Sequence, residues 1–339
     1  MKKYNVAVVG ATGNVGREIL NILDERNFPV KKLYAIASER SKGKEIKFGK
    51  DKSIKVDSLT KFNFNKAEIV LSSPGAAISK NFVPKAVKSG AIVIDNTSFF
   101  RMDKNIPLIV PEVNLDDLKK YKKSNIIANP NCSTIQLVVA LKPIHEKYTI
   151  KRIVVSTYQS TSGAGKSAMD ELFNQTLDIF KNKPLKMIKF SKKIAFNVIP
   201  HIDDFLDDGQ TKEEMKIVEE TKKILDSKIK VTATCVRVPV FIGHGESVNI
   251  ETKKSIDSES VKELLNDSKG ISVIDARVDG GYVSSDECAG KDEVFVSRIR
   301  DDQSVKNGIS LWVVADNLRK GAALNTIQIA EEIIKSEQK

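Results

Sequence analysis

The chain contains few of the residues that would place it at once in a metal-binding, disulfide-rich or membrane class. Its 339 residues include three cysteines and three histidines. Cys132, Cys235 and Cys288 are odd in number and far apart, so they predict neither a disulfide framework nor a zinc site. We expect no metal and a reducing, cytoplasmic environment. No apolar run reaches about 18 residues, so we expect no transmembrane helix, and the N-terminus enters a strand pattern instead of a secretory signal.

Aromatic residues are also scarce, at 6% of the chain, although the formal charge is +11. A net positive charge of this size can attract nucleic acid, an anionic membrane or small anionic ligands. The lysines are mixed with Asp and Glu, and aromatics do not accompany the basic runs, whereas a typical nucleic-acid-binding protein clusters its basic residues and interleaves aromatics. We therefore expect no nucleic-acid and no membrane partner, and a small excess of positive charge for anionic substrates.

The first part of the chain alternates strands with helices. Apolar residues recur at helical spacing from Val15 to Leu23, and a second helix is predicted near Lys80–Lys88. The predicted strands are Val6–Val9, Leu33–Ala37, Ile54–Val56, Ile69–Ser72 and Ala91–Asp95. Unbroken apolar strands in βαβ units are typical of a parallel sheet with helices on both faces. We therefore predict an α/β fold with a doubly wound parallel sheet.

The pattern changes from about Lys151, where long β-rich runs alternate with amphipathic helices. The predicted strands are Arg152–Gln159, Val231–Val240 and Ser247–Thr252, and the predicted helices are Ser167–Phe180, Lys212–Leu225 and Ser260–Leu265. This pattern predicts a second, α+β domain with a mostly antiparallel or mixed sheet. A last helix, Ala322–Lys335, is expected to return to the first domain. The predicted domains are residues 1–130 plus 318–339, and residues 131–317.

A glycine-rich turn, G-A-T-G-N-V-G, runs from Gly10 to Gly16, directly after a buried strand and before a helix. Glycines in this context let backbone N–H groups approach a pyrophosphate at the helix N-terminus. The turn alone is a weak signal, but the strand and helix on the correct sides strengthen the prediction of a dinucleotide site. After the second strand, Glu39 suits a ribose hydroxyl, whereas Arg40 and Ser41 suit a 2′-phosphate. We favour NADP over NAD, with a plain surface loop as the alternative.

A single cysteine stands in the sequence NPNCSTIQ, just before an apolar run. Leu137, Val138, Leu141 and Ile144 predict a helix with a buried face, so Cys132 is placed at or near its N-terminus. Backbone N–H groups and the helix dipole favour a thiolate there. The alternative is a buried structural cysteine, which is what most single cysteines are.

Other polar residues stand where strands or loops end. Gln159 leads into a Gly/Ser loop whose GAGKS sequence is not a P-loop, because Ser160 replaces the required glycine. Arg237 lies in an otherwise apolar strand, where it needs a partner and suits a carboxylate, and His244 lies between two glycines. Taken singly, each is more typical of a structural role. Glu213 and Lys216 are neighbours on the surface of a predicted helix, and such a pair is most often an exposed salt bridge.

Together these stretches resemble the aspartate-semialdehyde dehydrogenase family, in the same order and over nearly the whole chain. The motifs that carry the resemblance are GATGNVG, NTSFFRMD, NPNCST, STYQSTSGAGKS, KEEMK, TCVRVP with GHGES, and DNLRKGAALN. The resemblance implies a Rossmann-type N-terminal domain and a second domain for catalysis and dimerisation. It also implies NADP as cofactor and a homodimer, with a tetramer left open.

The resemblance further implies a role for each matching residue. The implied catalytic residues are Cys132 as acylated nucleophile, His244 as acid/base, Gln159 as orienting group and Asn131 as support for the cysteine. The implied substrate ligands are Arg237 for the α-carboxylate, Glu213 for the amino group, and Arg101 and Lys216 for the phosphate. The implied cofactor contacts are Gly10, Thr12, Gly13, Asn14, Val15, Gly16, Ser38, Arg40, Ser41, Ser162, Gly163 and Asn317.

The implied reaction is the NADPH-dependent conversion of L-4-aspartyl phosphate to L-aspartate 4-semialdehyde through a cysteine thioester, a step in the biosynthesis of lysine and diaminopimelate, methionine and threonine. Two alternatives stay open. An N-acetyl-glutamyl-phosphate reductase would share the chemistry but would not need Glu213 to bind a charged amino group. A non-catalytic relative that acts as an interaction protein would keep the fold, but it would have no need of both Cys132 and His244.

Overall fold

The computed structural model describes residues 2–337 and divides into two compact units. The first unit joins the chain up to Asn131 with the stretch from Ala322 onward, and the second unit spans Cys132–Gly321. The strands are β1 Tyr4–Val9, β2 Val30–Ala37, β3 Glu45–Phe48, β4 Lys52–Ser58, β5 Ile69–Ser72, β6 Ile92–Asp95, β7 Ile126–Ala128, β8 Ile150–Gln159, β9 Lys230–Arg237, β10 His244–Thr252, β11 Ile271–Val273, β12 Val294–Asp302 and β13 Gly308–Ala315. The helices are α1 Asn14–Glu25, α2 Ala76–Lys88, α3 Pro111–Asn114, α4 Cys132–Tyr148, α5 Lys166–Phe180, α6 Lys212–Ile224, α7 Ser258–Asn266 and α8 Leu324–Glu337. Within residues 2–337, no helix combines the length and the apolar character needed to cross a membrane.

The first unit is built on a seven-stranded sheet in the order β3-β4-β2-β1-β5-β6-β7. All neighbours pair in parallel except β3, which pairs antiparallel with β4 at one edge. Strands β1 and β5 are buried along almost their whole length, as a parallel sheet covered on both faces requires. The predicted doubly wound α/β fold is therefore confirmed. The short strands β3 and β7 are additions to the predicted set.

The C-terminal helix α8 packs into the core of the first unit. Its buried residues Ile327 and Ile333 belong to the same apolar cluster as Ile19 and Leu23. Arg26, the residue that follows α1, lies at the surface and donates two hydrogen bonds to the carboxylate of Glu331, at 2.7 and 2.8 Å. A residue more than 300 positions away in sequence thus completes the packing around α1.

The second unit contains a six-stranded mixed sheet in the order β11-β12-β13-β10-β8-β9. Strand β10 is antiparallel to both its neighbours, whereas β8 pairs in parallel with β9 and β11 with β12. A mixed sheet in an α+β domain is what the sequence predicts. Strand β9 ends at Arg237, earlier than the predicted Val240, because Pro239 cannot donate a backbone hydrogen bond to a ladder.

Candidate active site

Helix α4 begins at Cys132, so the predicted placement of this cysteine at a helix N-terminus is confirmed. Its apolar residues, among them Leu137, Val138 and Leu141, are fully or almost fully buried, which anchors the helix in the second unit. Cys132 itself is half-buried and therefore accessible. Gly321 approaches closely, and a β-carbon at that position would lie 2.9 Å from the Cys132 Cβ. Glycine is thus needed beside the first residue of α4.

Three polar residues meet where three neighbouring strands of the second sheet end or begin. Strands β8 and β9 end there with Gln159 and Arg237, which pair directly in the parallel ladder. Strand β10 runs the other way and begins there with His244, one residue before the Gly245 that pairs with Tyr158. Strand direction and register therefore bring together residues that are 78 and 85 positions apart in sequence, as the numbers of the three residues show.

Gly163 faces two of these side chains. A β-carbon on it would lie 3.3 Å from the Nε2 of His244 and 3.4 Å from a terminal nitrogen of Arg237. These distances are shorter than ordinary van der Waals contacts. Glycine at this position therefore lets the loop lie close to the imidazole and the guanidinium.

His244 is completely buried, and the backbone N–H of Ser160 donates a 3.1 Å hydrogen bond to its Nδ1. Because Nδ1 accepts, we assign the neutral ring its proton at Nε2, which has no hydrogen-bond partner among residues 2–337. Burial, followed by the positive charge of Arg237, lowers the pKa of His244 to about 3. The imidazole is therefore neutral and presents Nε2–H.

Arg237 is 5% exposed and donates a 2.5 Å hydrogen bond to the carbonyl of Ser160. Burial lowers its pKa from the ordinary value, while the negative charges of Glu213 and of the Cys132 sulfur act in the opposite direction. The guanidinium stays charged at neutral pH, because no protein environment brings an arginine near neutrality. A buried cation beside a thiol favours the thiolate and can bind an anionic ligand.

A chain of hydrogen bonds links Gln159 to helix α6. The Nε2 of Gln159 donates to one carboxylate oxygen of Glu213 at 3.1 Å. Lys216 donates to the other oxygen of Glu213 at 3.0 Å and to Asp203 at 2.6 Å. Burial acts to lower the pKa of Lys216, but Glu213 and Asp203 together raise it above the ordinary value. This pair is thus not the exposed surface salt bridge that its spacing alone suggests, since Glu213 is 6% exposed.

Helix α6 starts with a complete capping box. The Thr211 side chain accepts from the backbone N–H of Glu214, and the Glu214 carboxylate accepts from the backbone N–H of Thr211. Glu214 also accepts from the backbone N–H of Cys235 on β9 at 3.1 Å. The cap therefore fixes the first turn of the helix, which carries Glu213, against the sheet.

Asn317 is the centre of a second polar network. Its Oδ1 accepts from the hydroxyls of Ser160 and Ser162 and from the backbone N–H of Gly243, at 3.0 to 3.2 Å, and its Nδ2 donates to Ser162. The loop that carries Ser160 and Ser162 and the loop that carries Gly243 are thereby held by one amide. Ser160, which contacts both His244 and Asn317, is absent from the predicted site. A hydroxyl directly after the last residue of a strand is the signal that could have indicated it.

The turn from Gly10 to Gly16 in the first unit depends on its glycines. Gly10 has a φ of +85°, and a β-carbon on it would lie 2.6 Å from the carbonyl oxygen of Ser73. A β-carbon on Gly16 would lie 2.2 Å from the carbonyl oxygen of Gly10. Gly13 is the N-cap of α1 and makes no side-chain cap hydrogen bond, and Thr12, Asn14 and Val15 stand at this helix N-terminus.

The loop after β2 presents Ser38 and Arg40 at the surface, with Ser41 half-buried. Its acidic residue, Glu39, is occupied by a hydrogen bond from Ser58 and by the ammonium groups of Lys61 and Lys42 at 3.6 and 3.9 Å. The hydrogen bond from Ser58, aided by these lysines, lowers the pKa of Glu39. The carboxylate is thereby engaged within the first unit, while Arg40 remains exposed.

Two further predicted residues belong to the first unit. Arg101 follows β6, is 8% exposed and donates a 2.6 Å hydrogen bond to the carbonyl of Asn96. Asn131 is 6% exposed and precedes Cys132 directly. The second unit by itself thus brings together Cys132, Gln159, Glu213, Lys216, Arg237, His244, Ser162, Gly163 and Asn317.

The other cysteines and histidines have structural surroundings. Cys235 is fully buried on β9, and burial raises its pKa. The polar sequence around Cys288 suggests an accessible thiol, but the structure shows the opposite. Cys288 is also fully buried, it contacts the carbonyl of Ser285, and burial raises its pKa to about 12. His145 pairs with Asp226 at 3.6 Å, and His201 stacks on Phe205.

Comparisons with known proteins find similar sequences and structures over nearly the whole chain. The family model described as "Semialdehyde dehydrogenase, NAD binding domain" matches residues 5–121, and "Semialdehyde dehydrogenase, dimerisation domain" matches residues 141–320. The chain is 56% identical to the aspartate-semialdehyde dehydrogenase of Rickettsia typhi, over 98% of each chain. It matches the structure of aspartate semialdehyde dehydrogenase II complexed with ASA from Vibrio cholerae, with a TM-score of 0.96, 49% identity and 99% of each chain covered.

A more distant structure, aspartate semialdehyde dehydrogenase with NADP from Candida albicans, matches with a TM-score of 0.74 and 26% identity, covering 99% of each chain. The matched domain models indicate an oxidoreductase with a nicotinamide cofactor and an oligomeric assembly. The relatives and the two domain models span nearly the full length of this sequence. The chain therefore belongs to the aspartate-semialdehyde dehydrogenase family.

Proposed function

We propose that the chain catalyses the NADPH-dependent reductive dephosphorylation of L-4-aspartyl phosphate to L-aspartate 4-semialdehyde, in the biosynthesis of lysine and diaminopimelate, methionine and threonine. The observation that carries the proposal is that Gln159, Arg237 and His244 meet at the ends of neighbouring strands in the second unit. Helix α4 of the same unit begins with Cys132. A nucleophile, a proton-bearing imidazole and a fixed cation are the groups that acyl transfer from an acyl phosphate needs.

In the proposed mechanism the Cys132 thiolate attacks the acyl carbon of the substrate, a C–S bond forms, and the C–O bond to phosphate breaks. Asn131 and the N-terminus of α4 support the thiolate. NADPH, when bound, supplies the hydride that reduces the thioester. The thiohemiacetal then releases the semialdehyde and regenerates the thiolate. The overall reaction consumes one proton, which the released phosphate carries.

His244 is proposed to handle the proton through Nε2. Its Nδ1 is held by the backbone N–H of Ser160, so Nε2–H is the group that can donate to an oxygen on the reacting carbon. A pKa lowered to about 3 keeps the ring neutral before substrate binds. The developing negative charge of a tetrahedral intermediate is what a nearby N–H stabilises best.

Substrate selection is assigned to charged residues with little exposure. Arg237 would bind the α-carboxylate and Glu213 the α-ammonium, with Gln159 orienting the acyl group and Lys216 and Arg101 binding the phosphate. Glu213 is 6% exposed and already accepts from Gln159 and Lys216. A buried carboxylate placed to accept another hydrogen bond favours a charged amino group over the uncharged amide of N-acetyl-glutamyl phosphate.

NADP fits the residues of the first unit. We propose that the backbone turn from Gly10 to Gly16 binds the pyrophosphate, and the turn needs its glycines because a β-carbon at Gly10 or Gly16 would clash with the carbonyl oxygen of Ser73 or of Gly10. We propose that Ser38, Arg40 and Ser41 bind the 2′-phosphate, because Glu39 is engaged by Ser58 and Lys61. Ser162, Gly163 and Asn317 are also proposed as cofactor contacts, with Asn317 acting mainly by orienting the loop that carries Ser162.

We also propose that the chain forms a homodimer through the second unit. Side chains alternate along a strand, so Tyr158 lies on the sheet face opposite to Thr157 and Gln159. This face carries Tyr158 against Trp312 at 5.5 Å between ring centroids, and Phe241 and Tyr282 are exposed nearby. A cavity of about 850 Å³ lined by Phe241, Tyr282 and Trp312 adds apolar surface. Exposed aromatic surface of this extent is typical of a subunit interface.

The test is phosphate-dependent reduction of NADP with L-aspartate 4-semialdehyde as substrate. The wild-type enzyme should reduce NADP only when both the semialdehyde and phosphate are present, and Cys132→Ser should not. N-acetyl-glutamate semialdehyde serves as the competing substrate and should react much more slowly. Preference for the acetylated substrate would establish the first alternative, and no turnover with either would establish a non-catalytic relative.

A further inference from the structure

One carboxyl group beneath the proposed active site is not used by the mechanism. Glu246 lies on β10 two residues after His244, and is therefore on the same face of the sheet. It is fully buried, and neither carboxyl oxygen has a hydrogen-bond partner within residues 2–337. No lysine or arginine forms an ion pair with it in the described part of the chain. An ionised carboxylate in such a place is very costly, so the group is held as a neutral acid.

The neighbour of Glu246 is a buried glutamine on the helix of the nucleophile. Gln136 stands four residues after Cys132, one turn into α4, and is 0% exposed. Its Nε2 donates to the backbone carbonyl of His244 at 3.1 Å and to that of Val313 at 3.5 Å. Val313 pairs with Glu246 in the antiparallel ladder, so the Gln136 amide lies next to the Glu246 side chain. Burial raises the pKa of Glu246 well above its ordinary value, although the amide of Gln136 acts to lower it. Gln136 thus connects α4, which begins with Cys132, to the residue proposed as acid/base.

The Oε1 of Gln136 has no donor among the described residues. A side-chain amide has two orientations, and only the one with Nε2 toward His244 makes the observed bonds. A protonated carboxyl group of Glu246 can donate to Oε1 and thereby stabilise this orientation. An ionised Glu246 would instead compete for Nε2, because a carboxylate only accepts hydrogen bonds.

We propose that Glu246 is a positioning residue: as a neutral hydrogen-bond donor it fixes the amide of Gln136, and through it the placement of Cys132 relative to His244. The proposal rests on the proposed roles of Cys132 and His244. Glu246 itself touches neither substrate nor cofactor. Its effect should therefore appear in turnover and in the reactivity of Cys132, and should leave substrate affinity almost unchanged.

The test compares two substitutions at one position. Glu246→Gln keeps the size and a donor to Gln136, whereas Glu246→Leu is of similar volume and removes the donor. We expect kcat to stay within about threefold of wild type in the first and to fall roughly 10- to 100-fold in the second, because small misplacements of reacting groups have effects of this size. KM for the semialdehyde should change little in both. Alkylation of Cys132, measured by mass mapping, should slow in Glu246→Leu only.

A matched control is available for the partner residue. Gln136→Leu should lower kcat as Glu246→Leu does, and the double variant should be no worse than either single one. Gln175 is a glutamine of equal burial on α5 that bonds the backbone of Lys186, Ile194 and Ala195. Gln175→Leu should lose stability by a comparable amount, as measured by thermal unfolding, with kcat unchanged.

Three outcomes would overturn the proposal: Glu246→Leu with wild-type kcat and wild-type alkylation, an equal loss of kcat in Glu246→Gln and Glu246→Leu, or a loss in Gln175→Leu as large as in Gln136→Leu. Each of these outcomes is judged against a wild-type enzyme that reduces NADP with aspartate semialdehyde. A wild-type protein without that activity, or a Cys132→Ser variant that retains it, would instead overturn the proposed function.

Discussion

The two compact units differ in how each of them forms a binding site. The first unit makes its candidate cofactor cradle from seven consecutive residues, Gly10 to Gly16, and the backbone conformation of these residues shapes the cradle. The second unit assembles its candidate catalytic site from charged and polar side chains of distant segments, including Arg237 and His244, which are almost fully buried. Backbone recognition is local in sequence, whereas a buried charge network requires the complete sheet. The comparison predicts different consequences when each region is altered.

The largest expected effect is that of removing the nucleophile in the second unit. Cys132→Ser should fold normally, because exchanging sulfur for oxygen changes little volume, but it should lose turnover by roughly three orders of magnitude or more, because an unactivated hydroxyl is a poor nucleophile. NADP binding, measured by fluorescence titration, should be preserved. In wild type, a thiol reagent should modify Cys132 faster than the buried Cys235 and Cys288, and the acyl phosphate should protect it. Substantial NADP-linked activity in Cys132→Ser would contradict the covalent mechanism.

His244→Ala should lower kcat by roughly 10²–10⁴-fold, the usual contribution of a general acid or base. Acylation of Cys132 should remain measurable, because the thiol and Arg237 are still present. Single-turnover kinetics with mass detection of the acyl-enzyme separate the two steps. A variant with wild-type kcat would show that Nε2 carries no proton in the reaction.

In the first unit, Gly10→Ala should act through the backbone. The residue would have to adopt a φ of +85° with its β-carbon 2.6 Å from the Ser73 carbonyl, so the turn must move. The strain should destabilise this unit by about 1–3 kcal/mol and weaken NADP binding, while alkylation of Cys132 stays at the wild-type rate. Gly43→Ala is the control, since Gly43 also has positive φ but has open space around it. Equal loss of NADP binding in both variants would refute the cradle.

A smaller effect is expected at the loop proposed to bind the 2′-phosphate. Arg40→Ala removes a charge-assisted hydrogen bond worth roughly 1.5–3 kcal/mol, so NADP should bind about tenfold or more weakly while NAD binding changes little. Dissociation constants for both cofactors, measured side by side, decide the question. Parallel losses for the two would assign Arg40 a general role and not a role in selecting NADP.

The smallest effect concerns pH and the buried acid of the second unit. Burial raises the pKa of Glu246 well above 4.5, so the folded protein keeps a proton that the unfolded chain releases. Wild-type stability should therefore fall as pH rises from above about 4.5 toward the folded pKa, by up to about 1.4 kcal/mol per pH unit, and Glu246→Gln should lack this contribution. The gap in melting temperature between variant and wild type should widen by roughly 2 °C per pH unit for a chain of 339 residues.

Thermal unfolding at pH 5.5, 6.5 and 7.5 measures this gap. The titratable groups next to Glu246 are His244 on the same strand and Cys235, which lies two strands away in the same row of the sheet, and both are present in both proteins. Their contributions therefore cancel in the difference. A gap that stays constant with pH would mean that Glu246 is ionised in the folded state.

The sequence by itself determined the features that depend on local periodicity and local backbone chemistry. Apolar runs followed by helical spacing identified the parallel sheet of the first unit, Gly10 to Gly16 identified the turn that leads into α1, and the apolar run after Cys132 placed the cysteine at the start of α4. These predictions succeed because strand burial, glycine conformations and helix termini are set by a few adjacent residues.

Only the tertiary structure decided which side chains are buried together. The spacing of Glu213 and Lys216 suggests an exposed pair, yet packing against the sheet buries the carboxylate. The thiol of Cys288 is fully buried despite the polar sequence around it, and nothing in GHGES indicates that the buried carboxyl group of Glu246 has no hydrogen-bond partner among residues 2–337. Burial and strand register arise from contacts between distant segments, and these contacts determine the pKa values and the hydrogen-bond partners on which the proposed chemistry depends.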